Sequence, residues 1–177
     1  MISPVIETGR LRLRLHRPDD LDRRSAIRMQ PETMRHIGGA AASLPQAREE
    51  SWARIQRYVG HWALFGWGLF AIEERATGLL IGEAGIADFH RGLRPDFDAT
   101  PEGAWLLAAE AGGKGYATEA MQAAIDWFDR NRGRERIVCV IDGQNLASIR
   151  VAYKLGFGRY DEIDYHGQPK LLFERPA

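Results

Sequence analysis

Strand-like and helix-like hydrophobic patterns follow one another in the N-terminal half of the chain. Residues 10–16, RLRLRLH, alternate polar and apolar side chains with a period of two and predict a half-buried strand. A longer helix is predicted from Pro45 to the glycines at positions 66 and 68, which end it. The apolar residues that recur at helical spacing on one face of this helix are Trp52, Ile55, Val59 and Trp62.

The remaining patterns predict a hairpin followed by alternating strands and helices. GLFAIEE and GLLIGEAGIADF predict two strands joined by a turn at residues 75–78. The later predicted elements are a strand at GAWLLAA, a helix over 116–130, a strand at IVCVI, a helix at NLASIRVAYKL that stops at Gly156, and strands near 157–163 and 170–173. This order favours a single mixed α/β (α+β) domain over residues 1–177.

Composition narrows the functional classes. The 177 residues hold 24 Lys plus Arg and 24 Asp plus Glu, so a net charge of zero argues against bulk attraction to nucleic acid or to an anionic membrane. Arg10, Arg12 and Arg14 share one strand face, which we expect to be solvated. The lone Cys139 forms no intrachain disulfide and is expected to be buried. With no signal-peptide pattern, this predicts a cytoplasmic protein.

A glycine cluster in AGGKGYATEA, residues 111–120, lies between a predicted strand and a predicted helix. The backbone N–H groups at this helix start lack helical partners, and with the helix dipole they form a site for phosphate oxygens. A tight strand–helix turn is the plainer alternative. Gly115 stands where a nucleotide-binding P-loop needs Ser or Thr, and Thr118 stands where the dinucleotide fingerprint needs Gly or Ala.

GGKGYATEA, together with the downstream NLASIRVAYKLGF, resembles the GNAT superfamily of N-acetyltransferases, and in particular its ribosomal-protein N-terminal (RimJ/RimL-like) branch. The resemblance extends over RLRLR, IGEAGI and EGAWLLAAEAGG. It implies a mostly antiparallel twisted sheet flanked by helices, with strands that splay apart at the cofactor site. It also implies acetyl-CoA as cofactor and direct acetyl transfer to a primary amine in a ternary complex. The alternative is a catalytically inactive CoA-binding sensor domain.

The same resemblance implies which residues contact the cofactor. The pantetheine arm is expected along residues 104–109, and the pyrophosphate at the glycine loop. The family's loop pattern has Gln or Arg where this chain has Gly112, which removes one side chain near the loop. The expected cofactor-binding residues are Leu107, Ala108, Gly113, Lys114, Gly115, Tyr116, Ala117, Thr118, Asn145 and Ser148. Asn145 could equally serve as a helix cap.

Four residues are candidates for proton transfer. An amine attacks a thioester only when neutral, so the site needs a proton acceptor. Glu102, aligned with a glutamate common in the family, is the first candidate base, and its alternative is a surface glutamate at a strand entry. Glu83, a carboxylate inside an apolar strand, is the second. Tyr153 lies one position away from the family's usual acid, which leaves Ser148 as a competing donor. A thiol pKa near 8.5 also permits departure without an acid.

The acceptor is the least determined part of the site. Residues 90–102 and the helix around 52–65 are expected to shape its pocket, with Trp67 or Trp105 as lining residues. Protein N-termini and small-molecule amines stay open, as does a homodimeric assembly. The five histidines show no zinc-ligand spacing, so no metal is expected.

Overall fold

One sheet of eight strands organises residues 4–177, the part of the chain that this computed structural model describes. Its order is β1-β2-β3-β4-β5-β6-β8-β7. The strands are β1 (Ile6–Glu7), β2 (Leu11–Arg14), β3 (Leu69–Glu74), β4 (Leu80–Ala87), β5 (Glu102–Leu107), β6 (Ile137–Asp142), β7 (Gly158–Tyr165) and β8 (Gln168–Arg175). The first three residues of the predicted domain lie outside the described part.

Six α-helices accompany the sheet within residues 4–177. They are α1 (Leu21–Arg28), α2 (Pro31–Met34), α3 (Leu44–Phe65), α4 (Pro95–Asp98), α5 (Tyr116–Arg132) and α6 (Leu146–Lys154). The ends of α3 follow from its sequence, because Ser43 caps its first turn and Gly66 ends it in the left-handed conformation, at φ 74°. In this described part, no helix has the length and apolar character needed to cross a membrane.

Strand pairing changes character at β5. Every strand pair is antiparallel except β5–β6, which is parallel and consists of the single register pair Glu102 and Val138. On its other edge, β5 pairs with β4 along its whole length. Beyond Glu102 the strands β5 and β6 therefore separate, and within residues 4–177 the β6-facing edge of β5 has no backbone partner. The expected mixed, mostly antiparallel sheet with a splayed pair is confirmed.

The main core lies where α3 and α5 pack on the sheet. Met121, Ile125 and Phe128 of α5 are buried to 1% exposure or less, and Trp62 of α3 packs edge-on against Phe70 of β3 with ring centroids 4.9 Å apart. These large side chains bury enough apolar surface to fix α5 on the sheet. The glycine loop that precedes α5 is thereby held at one end of β5.

The face that α3 buries differs from the predicted one. Ile55 and Trp62 are buried as expected, but Trp52 and Val59 are 39% and 42% exposed. The buried face instead includes Tyr58, because the buried positions of α3, Ala47, Ser51, Ile55, Tyr58 and Trp62, follow one another at spacings of four, four, three and four. The phenol of Tyr58 then points at Glu83 and not at solvent.

Arg14 was predicted on a solvated sheet face, and this prediction is wrong. Its guanidinium is buried between Asp20 and Glu73, with Nη2–Oδ1 and Nε–Oε1 distances of 2.6 and 2.7 Å. The reason is that the 3-10 turn at 18–20 brings Asp20 back over β2. Arg10 and Arg12 on the same strand face are exposed as predicted.

Other differences are local. The two-residue strand β1 and the short helix α4 were not predicted from the sequence. Phe97 of α4 is only 1% exposed and forms a small separate core with Val138 and Leu172. Strands β7 and β8 run two residues further toward each other than predicted, up to a tight turn in which His166 has φ 55°.

Candidate active site

A cavity of about 1080 Å³ opens where β5 and β6 separate. Its walls come from β4, β5, β6, α3, α6 and the glycine loop. A cavity of this size accommodates a large ligand together with a second, smaller one. The splayed strands therefore expose the unpaired edge of β5 and two buried carboxylates, Glu83 and Glu102, to the same space.

The glycine loop forms one end of this cavity. Gly113 and Gly115 have φ of 73° and 80°, a conformation that glycine adopts without a steric cost. Among residues 4–177, nothing accepts a hydrogen bond from the N–H groups of Gly113, Lys114 or Gly115. The first N–H groups of α5 also lack helical partners. The loop thus presents a set of free donors at the positive end of a 17-residue helix, which fits a pyrophosphate.

Most predicted cofactor residues line the cavity. Those that do are Leu107, Ala108, Gly113, Gly115, Tyr116, Ala117, Thr118, Asn145 and Ser148. The side chain of Lys114 instead lies near the ring of Tyr116, with Nζ 5.9 Å from its centroid. The carbonyl of Lys114 accepts a 2.9 Å hydrogen bond from Nη1 of Arg10.

Arg10, which directly precedes β2, contacts the glycine loop. Nε of Arg10 donates to Glu119 at 2.7 Å, and its guanidinium lies 4.6 Å from the centroid of the Tyr116 ring. Thr8 donates a further hydrogen bond to Glu119 at 2.6 Å. Sequence reasoning missed this role of Arg10, which places an arginine beside a loop that has Gly112 at the family's usual Gln or Arg position.

Glu102 lies at the point where β5 and β6 part, and it is 3% exposed. Arg91 holds its carboxylate with two N–H groups: Nε donates a bifurcated hydrogen bond to Oε1 and Oε2 at 3.0 and 2.7 Å, and Nη2 donates to Oε1 at 2.8 Å. Burial raises the pKa of Glu102, and Arg91 opposes this rise without cancelling it. A carboxylate with a raised pKa is a stronger base, so the structure places a basic group in the cavity wall.

Glu83 on β4 also lines the cavity but is held differently. Arg24 donates to it at 3.1 and 3.0 Å, and the hydroxyl of Tyr58 donates at 2.9 Å. Burial alone would raise the pKa of Glu83, but Arg24, His16, Arg54 and the Tyr58 hydrogen bond outweigh it and leave the pKa lowered. Glu83 is therefore a fixed, weakly basic carboxylate.

Ser148 and Asn145 face the cavity from the start of α6. The side-chain oxygen of Asn145 accepts from the N–H of Ser148 at 3.1 Å, so Asn145 caps α6. The hydroxyl oxygen of Ser148 accepts from Nε1 of Trp105 at 3.2 Å. An indole N–H only donates, so this contact leaves the Ser148 hydroxyl proton free to point elsewhere. Trp105 is thus a cavity-lining residue, whereas Trp67 is buried in the core.

Two further predicted residues lie in less suitable places. Tyr153 is 56% exposed and packs edge-on against Phe173, outside the cavity lining. This orientation follows from its offset by one position along α6. Cys139 is buried at 1% exposure as predicted, and burial raises the pKa of its thiol well above its usual range. Tyr153 therefore lies outside the cavity, and the thiol of Cys139 stays protonated.

Comparison with known proteins identifies the family of the chain. The model of the acetyltransferase (GNAT) domain matches residues 10–158, which include the glycine loop, Glu102 and α6. The chain belongs to the GNAT acetyltransferase family. Members of this family transfer an acetyl group from acetyl-CoA, so the chain is an acyltransferase domain of the N-acetyltransferase class.

Individual relatives extend the match to nearly the whole chain. A protein of Bordetella pertussis described as a GnaT-family acetyltransferase is 34% identical, with a TM-score of 0.84 over 97% of this chain and 99% of its own. The uncharacterised protein YkkB of Bacillus subtilis (strain 168) is 30% identical over 113 residues, which span 64% of this chain and 63% of YkkB. RimL, a ribosomal L7/L12 α-N-protein acetyltransferase solved with coenzyme A, shares the fold at 16% identity, with a TM-score of 0.76 over 98% of both chains.

Proposed function

We propose that this domain transfers the acetyl group of acetyl-CoA directly to a primary amine, on a protein N-terminus or a small molecule, within a ternary complex. The observation that carries the proposal is the buried carboxylate of Glu102, whose pKa is raised, in the cavity wall beside the free edge of β5. A base in this position meets an amine that enters the cavity opposite the glycine loop.

The cofactor side of the cavity is supplied by the chain's backbone. The free N–H groups of residues 113–118 would hold the pyrophosphate, and the unpaired edge of β5 would pair with the amides of the pantetheine arm. When bound, acetyl-CoA supplies an activated acetyl thioester. Asn145 and Ser148 approach the same space from α6.

Proton removal is assigned to Glu102. Arg91 donates two N–H groups to the carboxylate, Nε to both oxygens and Nη2 to Oε1, so lone-pair positions remain for the amine or for a bridging water. The neutral amine then attacks the thioester carbonyl; the C–N bond forms, the C–S bond breaks and the amine proton passes to Glu102. Glu83, with its pKa lowered, serves instead to hold Arg24 and Tyr58 in place.

Ser148 is assigned to the leaving thiolate. Because Trp105 occupies an acceptor position of the Ser148 oxygen, the hydroxyl proton is free to donate to sulfur. Cys139 stays protonated in its buried strand, so a mechanism without an acyl-enzyme suits this cavity. An inactive CoA-binding sensor would have no need of a buried carboxylate with a raised pKa, and this alternative is not favoured.

The test is acetyl transfer itself. The purified chain with acetyl-CoA and a panel of N-terminal peptides and small amines should give acetylated products, which mass spectrometry detects by the gain of an acetyl group in place of an amine hydrogen. Coenzyme A binding measured by calorimetry, with no acetylated product across the panel, would support the sensor and contradict the proposal. A cytoplasmic location and a homodimer stay predictions.

A further inference from the structure

Four arginines line the part of the cavity that surrounds the two buried glutamates. Arg24 comes from α1, Arg54 and Arg57 come from α3, and Arg91 follows β4. Glu83 and Glu102 are the carboxylates that pair with two of them. With both glutamates ionised, these four arginines and two glutamates together carry a net charge of two positive units.

Two of the four arginines are ion-paired with these glutamates. Arg24 donates its Nε and Nη2 groups to Glu83, and Arg91 donates its Nε and Nη2 groups to Glu102. Both carboxylates are more than nine-tenths buried and are held by these hydrogen bonds. Neither therefore forms a direct ion pair with a second arginine. The charge that remains belongs to α3.

Arg54 and Arg57 have no carboxylate partner. Within residues 4–177, no acidic oxygen lies within 4.0 Å of either guanidinium. Nη1 of Arg54 donates to the hydroxyl of Tyr58 at 3.3 Å, and Nη2 of Arg57 donates to the carbonyl of Phe89 at 3.3 Å. These two long hydrogen bonds leave most of the donors of both side chains free. Their spacing of three places both on one face of α3.

Arg54 and Arg57 lie near the two buried glutamates. The guanidinium carbons of Arg57 and Arg91 lie 5.3 and 4.6 Å from the centroid of the Phe89 ring. Arg57 therefore lies beside the arginine that holds Glu102. Tyr58 connects Arg54 to Glu83, because its hydroxyl accepts from Arg54 and donates to Glu83. The free guanidinium donors therefore adjoin the place where the amine must lie.

We propose that Arg54 and Arg57 bind a carboxylate of the acceptor, so that the substrate is an amine that carries a carboxylate close to it. The inference rests on the proposed acetyl transfer and narrows its acceptor. Guanidinium groups pair with carboxylates through parallel, charge-assisted hydrogen bonds, which fits two adjacent arginines without internal partners. The same excess charge repels polycationic acceptors such as polyamines.

The experiment compares acceptors of matched shape, one of each pair with the carboxylate and one without it, each at a pH where its amine is neutral. The first pair is a free L-amino acid and its carboxamide; the second is a C-terminally amidated peptide that begins with Asp and the same peptide beginning with Asn. Spermidine is the cationic comparison. For each acceptor, kcat/KM is measured in the wild type, in Arg54→Gln and in Arg57→Gln. Arg48→Gln, on the same helix but ion-paired with Asp22 outside the cavity lining, is the control.

We expect the carboxylate member of one pair to be preferred by roughly ten- to a hundredfold, as a charge-assisted hydrogen bond would give. If the first pair shows this preference, the acceptor carboxylate is that of a free amino acid. If the second pair shows it, the carboxylate is the side chain of an acidic N-terminal residue. The preference should shrink in both cavity variants, persist in Arg48→Gln and weaken as salt is added, while KM for acetyl-CoA stays unchanged.

Equal rates within both pairs, a preference that survives both cavity variants, or spermidine as the best acceptor would overturn this inference alone. If the wild type acetylates no amine, the proposed function itself fails. Circular dichroism of each variant checks that the fold is kept, and Arg54→Lys keeps the charge in case Arg54→Gln does not fold.

Discussion

Replacing Glu102 with Gln is the sharpest test of how the cavity works. The amide keeps the shape of the side chain and one oxygen that accepts from Arg91, but it cannot take a proton. General bases contribute about 10²–10⁴-fold to turnover, and we expect kcat to fall by about 10². The glycine loop lies at the opposite end of β5, so KM and Kd for acetyl-CoA should not change.

The cost of this change to stability should be small. Because burial raises the pKa of Glu102, the ionised carboxylate is disfavoured in the folded chain, and a neutral amide removes that cost. Breaking a fully buried ion pair costs about 3–5 kcal/mol, but the side chain of Arg91 is 29% exposed and can reach water. The free energy of unfolding from urea titration should therefore fall by clearly less than this.

The assay is the pH dependence of kcat/KM for a peptide α-amine and for a lysine side chain. In the wild type, activity should be lost as pH falls through the raised pKa of Glu102, since the protonated carboxyl is no base. The variant should lack this acidic limb. Because an α-amine titrates near 8 and a lysine amine near 10.4, the α-amine should lose less turnover.

Glu83→Gln provides the matched comparison. Both ion-paired side chains there are at least nine-tenths buried, and the lowered pKa means that ionised Glu83 stabilises the fold at neutral pH. We expect this variant to lose about 3 kcal/mol of stability with kcat per folded molecule less affected. The reasoning is refuted if Glu102→Gln keeps full turnover and an unaltered pH profile, or if Glu83→Gln is the variant that abolishes the acidic limb.

Three further changes test the rest of the site and fold. Gly115→Val should raise the calorimetric Kd for acetyl-CoA at least about tenfold, because φ 80° strains a β-branched residue beside the phosphate donors; an unchanged Kd in a folded variant contradicts the cradle. Trp105→Phe should lower kcat by roughly two- to tenfold and Ser148→Ala should not add to it, as expected if the indole acts through Ser148; full additivity contradicts this. His16, whose pKa burial lowers to about 4, should make stability fall by about 3 kcal/mol from pH 7 to pH 4, and His16→Leu should remove this component in urea titrations.

Local patterns in the sequence were sufficient for most elements and for the cofactor end of the cavity. The hairpin of β3 and β4, helix α5 and the glycine loop each depend on neighbouring residues, so periodicity and glycine spacing predicted them well. The loop residues that line the cavity are contiguous, and Asn145 and Ser148 lie one helical turn apart. These patterns involve residues that are close together in the sequence, and tertiary contacts do not alter them.

The sequence did not reveal the ion pairs and hydrogen bonds between residues that are distant along the chain. Arg91 and Glu102 meet across a loop, Arg24 and Glu83 are 59 residues apart, and Arg10 reaches Lys114 across 104 residues. The position of Arg14 under Asp20, and the inward turn of Tyr58, likewise follow from packing between elements. Hydrophobic periodicity carries no information on which charges will be neutralised, so it could not separate the two glutamates.

The structure separates Glu83 and Glu102 by the balance between desolvation and compensation. Burial disfavours ionisation at both, but Glu83 sits among Arg24, Tyr58 and Arg54, whose combined effect exceeds the cost of burial. Glu102 has one direct partner, Arg91, which limits the cost without removing it. A buried carboxylate whose desolvation cost is only partly offset by an arginine keeps both a fixed orientation and a raised pKa. Those are the two properties that a base needs, and in this cavity Glu102 combines them at the point where the strands part.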